Sequence, residues 1–275
     1  MLSISGALAQ EPPTVAASIV PLQLIAAAVT DGVSKPLLAL GAGQDPHDIS
    51  LRPSERRTLA EADLVLWIGP ALELPLVDIL KGETDRLLTA QDIDTLLLLP
   101  AGRNVDPHLW LSLGNAEKIA QALAARLSQR DPAHAARYVE NQARFAATLS
   151  AVRVEARQRL EALPPKAWAV YHHAFRYIEA EWQLPPALAL TDGNGNMAGL
   201  RTLLGLRQDM QHAGLACLVA EPGVETAKVR SLLDMPQMQV QVVDIMGVQQ
   251  TRDASAYARL YIALIDAIVD CAAQR

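Results

Sequence analysis

The sequence predicts an α/β protein with two lobes, each built on a mainly parallel sheet, and one long backbone α-helix that joins them. Short apolar, β-branched runs alternate with helical patterns, which is typical of βαβ units. The alternation stops between residues 131 and 163, where the pattern is helical throughout. The chain has 275 residues, of which 51% are hydrophobic. At about 150 residues per domain, this length is compatible with two lobes.

The charge balance excludes several classes of protein. Lys and Arg number 24 against 30 Asp and Glu, so the net charge is −6. A nucleic-acid-binding protein needs a basic surface, and an aromatic content of 4% argues against a base-stacking platform. The sequence contains no run of 18 or more apolar residues, so no transmembrane helix is predicted.

The elements follow one another in a regular order along the chain. The predicted strands are Thr14–Val20, Lys35–Leu40, Asp63–Gly69, Lys166–Tyr171, Ala187–Thr191, Ala216–Ala220 and Gln239–Asp244. The predicted helices are 21–31, 53–62, 72–81, 114–128, 173–182, 198–213, 224–234 and 253–271.

The central helix is predicted over 131–163. Asp131 can cap its N-terminus, Pro132 fits the first turn, and Pro164-Pro165 ends it. Apolar residues recur every three or four positions and form one stripe: Val139, Ala143, Ala146, Leu149, Val152, Ala156, Leu160 and Leu163. Such a helix would span roughly 48 Å. Two helices joined by an undetected turn are the alternative.

This helix divides the chain into four segments. They are a short N-terminal remnant over 1–13, a first lobe over 14–130, the connecting helix over 131–163 and a second lobe over 164–275. In the remnant, Ala7-Leu8-Ala9 has the form of a signal-peptidase site, although the apolar stretch before it is short. We therefore expect either an ordinary frayed terminus or a truncated or removed signal peptide. No Cys lies near the N-terminus, so no lipid anchor is expected.

Three of the six histidines occupy positions where parallel sheets bind ligands. His47 and His108 lie in loops between predicted elements, and His172 follows a predicted strand. Ligands of open α/β sheets bind beyond the carboxyl ends of the strands. Two of these residues belong to the first lobe and one to the second, which predicts a site in the cleft. Taken singly, each is more typical of an ordinary loop or helix-cap residue than of a ligand; for the three together, the two interpretations are equally supported.

Both loop histidines stand in the tripeptide Asp-Pro-His. Proline restricts itself and the residue before it, so each imidazole is presented on a stiff segment. The neighbouring Asp can accept a hydrogen bond from the ring nitrogen that does not bind a ligand. His173 points away from His172, and we expect it to be exposed or to support the site from behind.

Two carboxylates end strands in the second lobe. Asp244 closes the run Gln239–Asp244 and should face the same rim as His172; a helix cap or an Arg partner is the alternative. Glu221 is placed similarly and is a weaker candidate for lining the site.

The chain resembles the metal-specific solute-binding proteins of bacterial ABC transporters, in particular the periplasmic zinc-binding branch. The matching segments run in the family's order from about residue 14: Ile19–Leu22, His47–Ser54, Ala62–Gly69, His108–Ser112, Tyr171–Phe175, Ala220–Pro222 and Val243–Gly247. The His-x4-Arg-Pro-Ser and His-Leu-Trp-Leu-Ser segments are the most specific. Many zinc-branch members carry a His- and acid-rich loop before the second ligand, whereas Gln91–Pro107 in its place holds no histidine.

The resemblance implies a ligand set and a role. His47, His108 and His172 match the three metal histidines, and Asp244 matches the fourth position, which either coordinates or leaves room for water. Manganese-binding relatives carry glutamate at the third position, so His172 favours Zn²⁺ over Mn²⁺. The implied function is capture of Zn²⁺ in the periplasm and delivery to an inner-membrane ABC permease by a monomer that is not an enzyme.

The resemblance also implies a disulfide between Cys217 and Cys271, with two buried thiols as the alternative. A disulfide indicates an oxidising compartment.

Other functions stay open on the residues alone. A manganese or other divalent-metal protein of the same transporter class is the first alternative, and a zinc-dependent hydrolase ranks below it. Three His with an open position also suit catalysis, but no His-Glu-x-x-His or Gly-x-Ser-x-Gly motif is present. A metabolite-binding α/β protein with incidental histidines ranks last. Gly193–Gly199 precedes a helix but lacks the Lys-Ser/Thr ending of a phosphate-binding loop.

Overall fold

The computed structural model describes residues 11–161, 167–193 and 195–274. Its strands are β1 Val15–Ala17, β2 Leu37–Leu38, β3 Leu64–Trp67, β4 Leu87–Thr89, β5 Pro100–Ala101, β6 Asn104–Val105, β7 Ala169–His172, β8 Leu188–Thr191, β9 Cys217–Ala220 and β10 Gln239–Val242. Its α-helices are α1 Val20–Val29, α2 Pro53–Glu61, α3 Leu113–Arg130, α4 Ala135–Glu161, α5 Arg176–Trp182, α6 Leu200–His212, α7 Thr226–Leu233 and α8 Ala256–Ala273. The cleavage-site-like segment Ala7-Leu8-Ala9 lies outside the described residues.

Two four-stranded parallel sheets confirm the predicted fold class. The first has the order β2-β1-β3-β4 and the second the order β10-β9-β7-β8. Every residue of β3 is buried, as expected for a central parallel strand covered on both faces. The carboxyl ends of β1, β3, β7 and β9 therefore form the edges where a site is expected.

The first lobe departs from the sequence prediction in three places. Residues 72–81 do not form an α-helix; Leu74–Leu76 form a 3₁₀ turn there. Pro75 lacks the amide hydrogen that an α-helical ladder needs. The predicted strand Thr14–Val20 is limited to β1, because Val20 already begins α1. Strand β4 and the hairpin β5–β6 were not predicted, since three- and two-residue strands leave no periodic signal.

The connecting helix begins four residues later than predicted, at Ala135 rather than Asp131. α4 has 27 residues, or about 40 Å at 1.5 Å per residue. The chain turns between α3 and α4, and the amide of Asp131 still donates to Leu127 at the end of α3. The predicted end at Leu163 lies outside the described residues.

The buried stripe of α4 also differs over its first half. Tyr138 and Phe145 are buried, whereas Val139 is 58% exposed and Ala143 is exposed. Aromatic rings bury more apolar area than Val or Ala, so they decide which face turns inward. From Leu149 to Leu160 the stripe follows the prediction.

One hydrophobic core runs through both lobes. It contains α1, the buried side of α4 and most of α8, and a smaller cluster lies within the second lobe. Polar contacts between the lobes add to it: Trp110 Nε1 donates to the Ile245 carbonyl at 2.9 Å, and the Tyr257 hydroxyl donates to the Trp110 carbonyl at 2.6 Å. These contacts oppose a wide opening of the cleft.

A disulfide joins β9 to the end of α8. Cys217 and Cys271 are bonded, with their Cα atoms 5.3 Å apart, so the predicted bridge is confirmed and the buried-thiol alternative is wrong. Among the described helices, none combines the length and apolar character required to cross a bilayer.

Candidate metal centre

The structure brings the three predicted histidines together. His47 lies in the loop between β2 and α2, His108 directly precedes a 3₁₀ turn, and His172 is the last residue of β7. The ring centroids are 5.5 Å apart for His47 and His108, 5.7 Å for His47 and His172, and 5.0 Å for His108 and His172. One nitrogen of each ring lies within 4.8 Å of the others. Three donors at this separation can converge on a single ion.

The two Asp-Pro-His segments share a local turn. Asp45 Oδ1 accepts the amide hydrogen of His47 at 2.9 Å, and Asp106 Oδ1 accepts that of His108 at 3.1 Å. Asp side chains commonly stabilise turns by accepting from the backbone two residues on. The proline between them holds the Asp extended. The repeated tripeptide therefore produces the same rigid turn in two different loops.

Only one of these aspartates also contacts an imidazole. Asp106 Oδ1 lies 2.8 Å from Nδ1 of His108, and both side chains are almost fully buried. Burial raises the pKa of Asp106, but the hydrogen bonds and charge of His108 and the charge of Arg176 outweigh it, so its pKa is lowered. The carboxylate stays charged and leaves Nε2 of His108 for a ligand.

Burial lowers the pKa of two of the three imidazole rings. It lowers the pKa of His47 to about 4, helped by the charges of His108 and His172. It also lowers the pKa of His108, against the raising effect of Asp106. Both imidazoles are therefore neutral at pH 7, the form in which histidine binds metals.

His172 is held from both sides of its ring. Nδ1 lies 3.0 Å from Glu221 Oε1, and Nε2 lies 3.2 Å from the Gly193 carbonyl oxygen. Burial lowers the pKa of His172, but the hydrogen bond and charge of Glu221 and the Gly193 carbonyl outweigh it, so its pKa is raised. Of the three imidazoles, this one holds its proton most strongly.

Asp244 lies in the wall of the same cavity, but its carboxylate is not among the atoms that converge with the three rings. Its Oδ1 accepts from the Met246 amide at 3.1 Å and its Oδ2 from the Gln249 amide at 3.0 Å. Strand β10 ends two residues earlier, at Val242, so Asp244 lies in the following loop rather than ending the strand. A carboxylate oxygen keeps further accepting capacity after one hydrogen bond.

The cavity has a volume of about 490 Å³ and takes its walls from both lobes. Its lining includes His47, His108, His172, Glu221 and Asp244. His173 does not face it; that residue lines a separate cavity, together with Arg176. Burial lowers the pKa of His173, and the charge of Arg176 lowers it further.

Two neighbours of the site were not predicted from the sequence. Arg176 approaches Asp106 Oδ2 at 3.4 Å, and the Gly193 carbonyl meets His172. Arg176 is 70 residues from Asp106 in sequence, and a backbone carbonyl has no sequence signature. No local pattern identifies either contact.

The donor set defines the chemistry available. Imidazole nitrogens suit Zn²⁺, Cu²⁺, Fe²⁺ and Ni²⁺, whereas Mn²⁺, Mg²⁺ and Ca²⁺ prefer oxygen. Three imidazoles and one oxygen make a tetrahedral zinc set, with Zn–N distances of about 2.0–2.1 Å.

Two parallel-sheet lobes joined by a long helix are the fold of periplasmic metal-binding proteins. A zinc-bound deletion mutant of ZnuA matches with a TM-score of 0.82 at 22% identity, over 96% of this chain and 99% of that one. The periplasmic zinc-binding protein TroA of Treponema pallidum matches with a TM-score of 0.81 at 18% identity, over 95% and 99%. A Cd-bound periplasmic metal-binding protein of Candidatus Liberibacter asiaticus matches with a TM-score of 0.79 at 15% identity, over 94% and 99%.

Comparison of the sequence with known families shows to which family within this class the chain belongs. Residues 15–271 match the family described as ZnuA, the periplasmic component A of a zinc-uptake complex, and the chain belongs to that family. A high-affinity zinc uptake system protein of Haemophilus ducreyi is 28% identical, over 94% of this chain and 92% of its own. Another, of Paracoccus denitrificans, is 25% identical over 95% and 92%. The family consists of solute-binding proteins rather than enzymes.

Proposed function

We propose that this chain captures Zn²⁺ between its two lobes and delivers it to an inner-membrane ABC permease. The three His side chains are the nitrogen ligands, and Asp244 or a water held by it supplies the fourth donor. The observation that carries the proposal is the convergence of one nitrogen from each of His47, His108 and His172 within 4.8 Å. The predicted lobe boundaries, 14–130 and 164–275, belong to the same proposal, with the ion between the two lobes.

Zinc is preferred to manganese because of the third donor. An imidazole at position 172 makes the set rich in nitrogen, which Mn²⁺ binds less strongly than Zn²⁺. The relatives named for high-affinity zinc uptake support this choice. A structural relative with bound Mn keeps that metal as the alternative.

Transport is preferred to hydrolysis because the carboxylates at the site are engaged. Asp106 is bonded to His108, Glu221 to His172, and both oxygens of Asp244 to backbone amides. A metallohydrolase needs a carboxylate or imidazole aimed at the metal-bound water to take its proton. The carboxylates here support rings or turns, and the family to which the chain belongs is one of zinc uptake, so transport is the function proposed.

The periplasm is the compartment that fits the disulfide, because such bonds persist under oxidising conditions. We further propose that the protein acts as a monomer, since one chain supplies all the ligands named here. Size-exclusion chromatography with light scattering, with and without Zn²⁺, tests this; a dimer in both states would contradict it.

The test of the main proposal is a calorimetric titration of chelator-stripped protein with Zn²⁺ and Mn²⁺. The variants are His47→Ala, His108→Ala and His172→Ala, and the matched control is His212→Ala, an exposed histidine of α6. We expect one tight Zn²⁺ per chain, weaker Mn²⁺, at least tenfold loss in each site variant and no change in the control. Unchanged zinc affinity in all three site variants would refute the proposal.

A further inference from the structure

The imidazole of His172 contacts the carboxylate of Glu221, the residue that directly follows the neighbouring strand β9. β7 and β9 are parallel, with Val170 opposite Val219. Two residues further along both strands, this register places His172 beside Glu221, and their side chains meet at 3.0 Å. Both side chains are largely buried, with 13% and 17% of their areas exposed. Glu221 is followed by Pro222, which favours an extended conformation at Glu221 and limits where its carboxylate can point.

Glu221 contacts the metal site through the imidazole ring of His172. Its carboxylate is not among the atoms that converge with the three imidazoles, although the residue lines the same cavity. Its oxygen contacts Nδ1 at 3.0 Å, whereas Nε2 lies 3.2 Å from the Gly193 carbonyl oxygen. We expect an ion to bind Nε2 and to displace this longer contact, while the contact with Glu221 stays. The same arrangement holds for His108, whose Nδ1 is taken by Asp106.

We propose that Glu221 is a positioning residue for zinc capture, which orients His172 and fixes its Nδ1–H tautomer as Asp106 does for His108. This inference rests on the proposed function. Carboxylates that accept from the far nitrogen of a metal-binding histidine orient the ring and make it a better donor. Together Asp106 and Glu221 also place two negative charges one ring away from a doubly charged ion, which reduces the cost of holding that charge in a buried site.

The three rings are therefore supported unequally. His108 and His172 have a carboxylate on the ring, whereas Asp45 contacts the backbone amide of His47. Removal of Glu221 leaves His172 free to rotate and to present either nitrogen, so the cost falls on zinc affinity and on ring geometry rather than on folding.

The experiment compares zinc binding in Glu221→Ala, Glu221→Gln and His172→Ala. The matched control is Glu225→Ala, which removes the same charge from an exposed position four residues along the chain. Calorimetry on chelator-stripped protein gives the affinity. Long-range ¹H–¹⁵N spectra of the zinc-loaded protein identify which nitrogen of His172 carries the proton. Thermal unfolding of the metal-free proteins reports on folding.

We expect Glu221→Ala to bind zinc about 10- to 100-fold more weakly, as is typical for loss of such a partner. Glu221→Gln retains an acceptor oxygen and should recover part of that loss, and Glu225→Ala should match the parent. The His172 ring should show the Nδ1–H tautomer in the parent and a mixture in Glu221→Ala. The unfolding temperature of metal-free Glu221→Gln should match the parent.

Two results overturn the inference while leaving the proposed function intact. One is zinc affinity equal to the parent in both Glu221 variants, with His172→Ala still weakened. The other is weak binding by Glu221→Ala with the Nδ1–H tautomer retained, since the carboxylate would then act on the ion itself. If His172→Ala itself binds zinc as tightly as the parent, the proposed function is wrong at this residue and the inference fails with it.

Discussion

One oxygen of Asp106 accepts two hydrogen bonds from the same histidine. Its Oδ1 lies 3.1 Å from the amide nitrogen of His108 and 2.8 Å from Nδ1 of the ring. The turn and the ring orientation are therefore set by a single buried atom. Asp45 Oδ1 likewise accepts a hydrogen bond from the backbone amide of His47, at 2.9 Å, but this hydrogen bond reaches the backbone and not the ring. The two Asp-Pro-His segments are alike in backbone and different in how they hold the imidazole.

This difference predicts unequal effects of a conservative substitution. Asp106→Asn retains an oxygen for the turn but loses the charge that fixes the His108 tautomer, so zinc affinity should fall about 10- to 100-fold. Asp45→Asn, the matched control, retains its turn and should stay within a few-fold of the parent. Calorimetry measures both; equal effects of the two substitutions would contradict the assignment.

The pKa values predict how zinc binding depends on pH. Burial lowers the pKa of His47 to about 4 and also lowers that of His108, whereas the pKa of His172 lies above its usual 6.5. Zinc must displace a proton from His172 below that raised pKa, so affinity should fall about tenfold per pH unit there. Above it the dependence should flatten.

Proton release measured by calorimetry in buffers of different ionisation enthalpy tests this directly. At pH 6.5 up to one proton, from His172, should leave per Zn²⁺. Release of two or more protons would show that His47 or His108 is also charged, contrary to the effect of burial.

A buried glutamate that is not among the residues of the metal site predicts a separate pH effect, on stability. Burial raises the pKa of Glu73 from 4.5 to about 7, although its Oε2 accepts from the Gly69 amide at 3.0 Å. Between these two values the folded protein holds a proton that the unfolded chain releases. The free energy of unfolding should therefore decrease as pH rises from 4.5 to about 7 and level off above.

Glu73→Gln removes this charge without changing the shape of the side chain. At pH 8 the free energy of unfolding of this variant should exceed that of the parent by about 3 kcal/mol, because one pKa unit corresponds to about 1.4 kcal/mol. At pH 4.5 the gain should vanish. Urea unfolding of the zinc-free proteins measures the difference, and a gain that is constant with pH would count against a buried, neutral Glu73.

The disulfide should contribute to stability much more than to zinc binding. Its cysteines are 54 residues apart, and closing such a loop is worth about 4 kcal/mol on the chain-entropy model. A Cys217→Ser, Cys271→Ser double variant should lose free energy of unfolding of that order. Zinc affinity should remain within a few-fold of the parent, because Cys217 lies at the end of β9 opposite to Glu221. Unchanged stability of the double variant would contradict this reasoning.

The shared core predicts a small change of shape on metal binding. Helices α1, α4 and α8 pack in one cluster, and Trp110 bonds to Ile245 across the lobes. Wide hinge closure would break these contacts. Small-angle scattering should therefore give nearly equal radii of gyration for metal-free and zinc-loaded protein; a change of several ångström would show that the lobes move as hinged bodies.

Local sequence patterns were sufficient for much of the molecule. The alternation of β-branched runs and helical patterns determined two parallel sheets. Loops between predicted elements marked His47 and His108, and a strand end marked His172. Each of these inferences depends on neighbours within a few residues, because strand and helix periodicities and the Asp-Pro-His turn are short-range properties.

The tertiary structure decided what depends on distant partners. His172 meets Glu221 49 residues away, and Trp110 meets Ile245 135 residues away. Tyr138 and Phe145, rather than Val139 and Ala143, turn inward on α4, because the packing of whole helices selects the face that buries most area. Asp106 lies two residues from His108, so the Asp-Pro-His tripeptide was enough to anticipate its contact with that ring. Glu221 is brought beside the ring of His172 by the register of β7 and β9, a contact that exists only once the chain has folded and that no spacing in the sequence specifies.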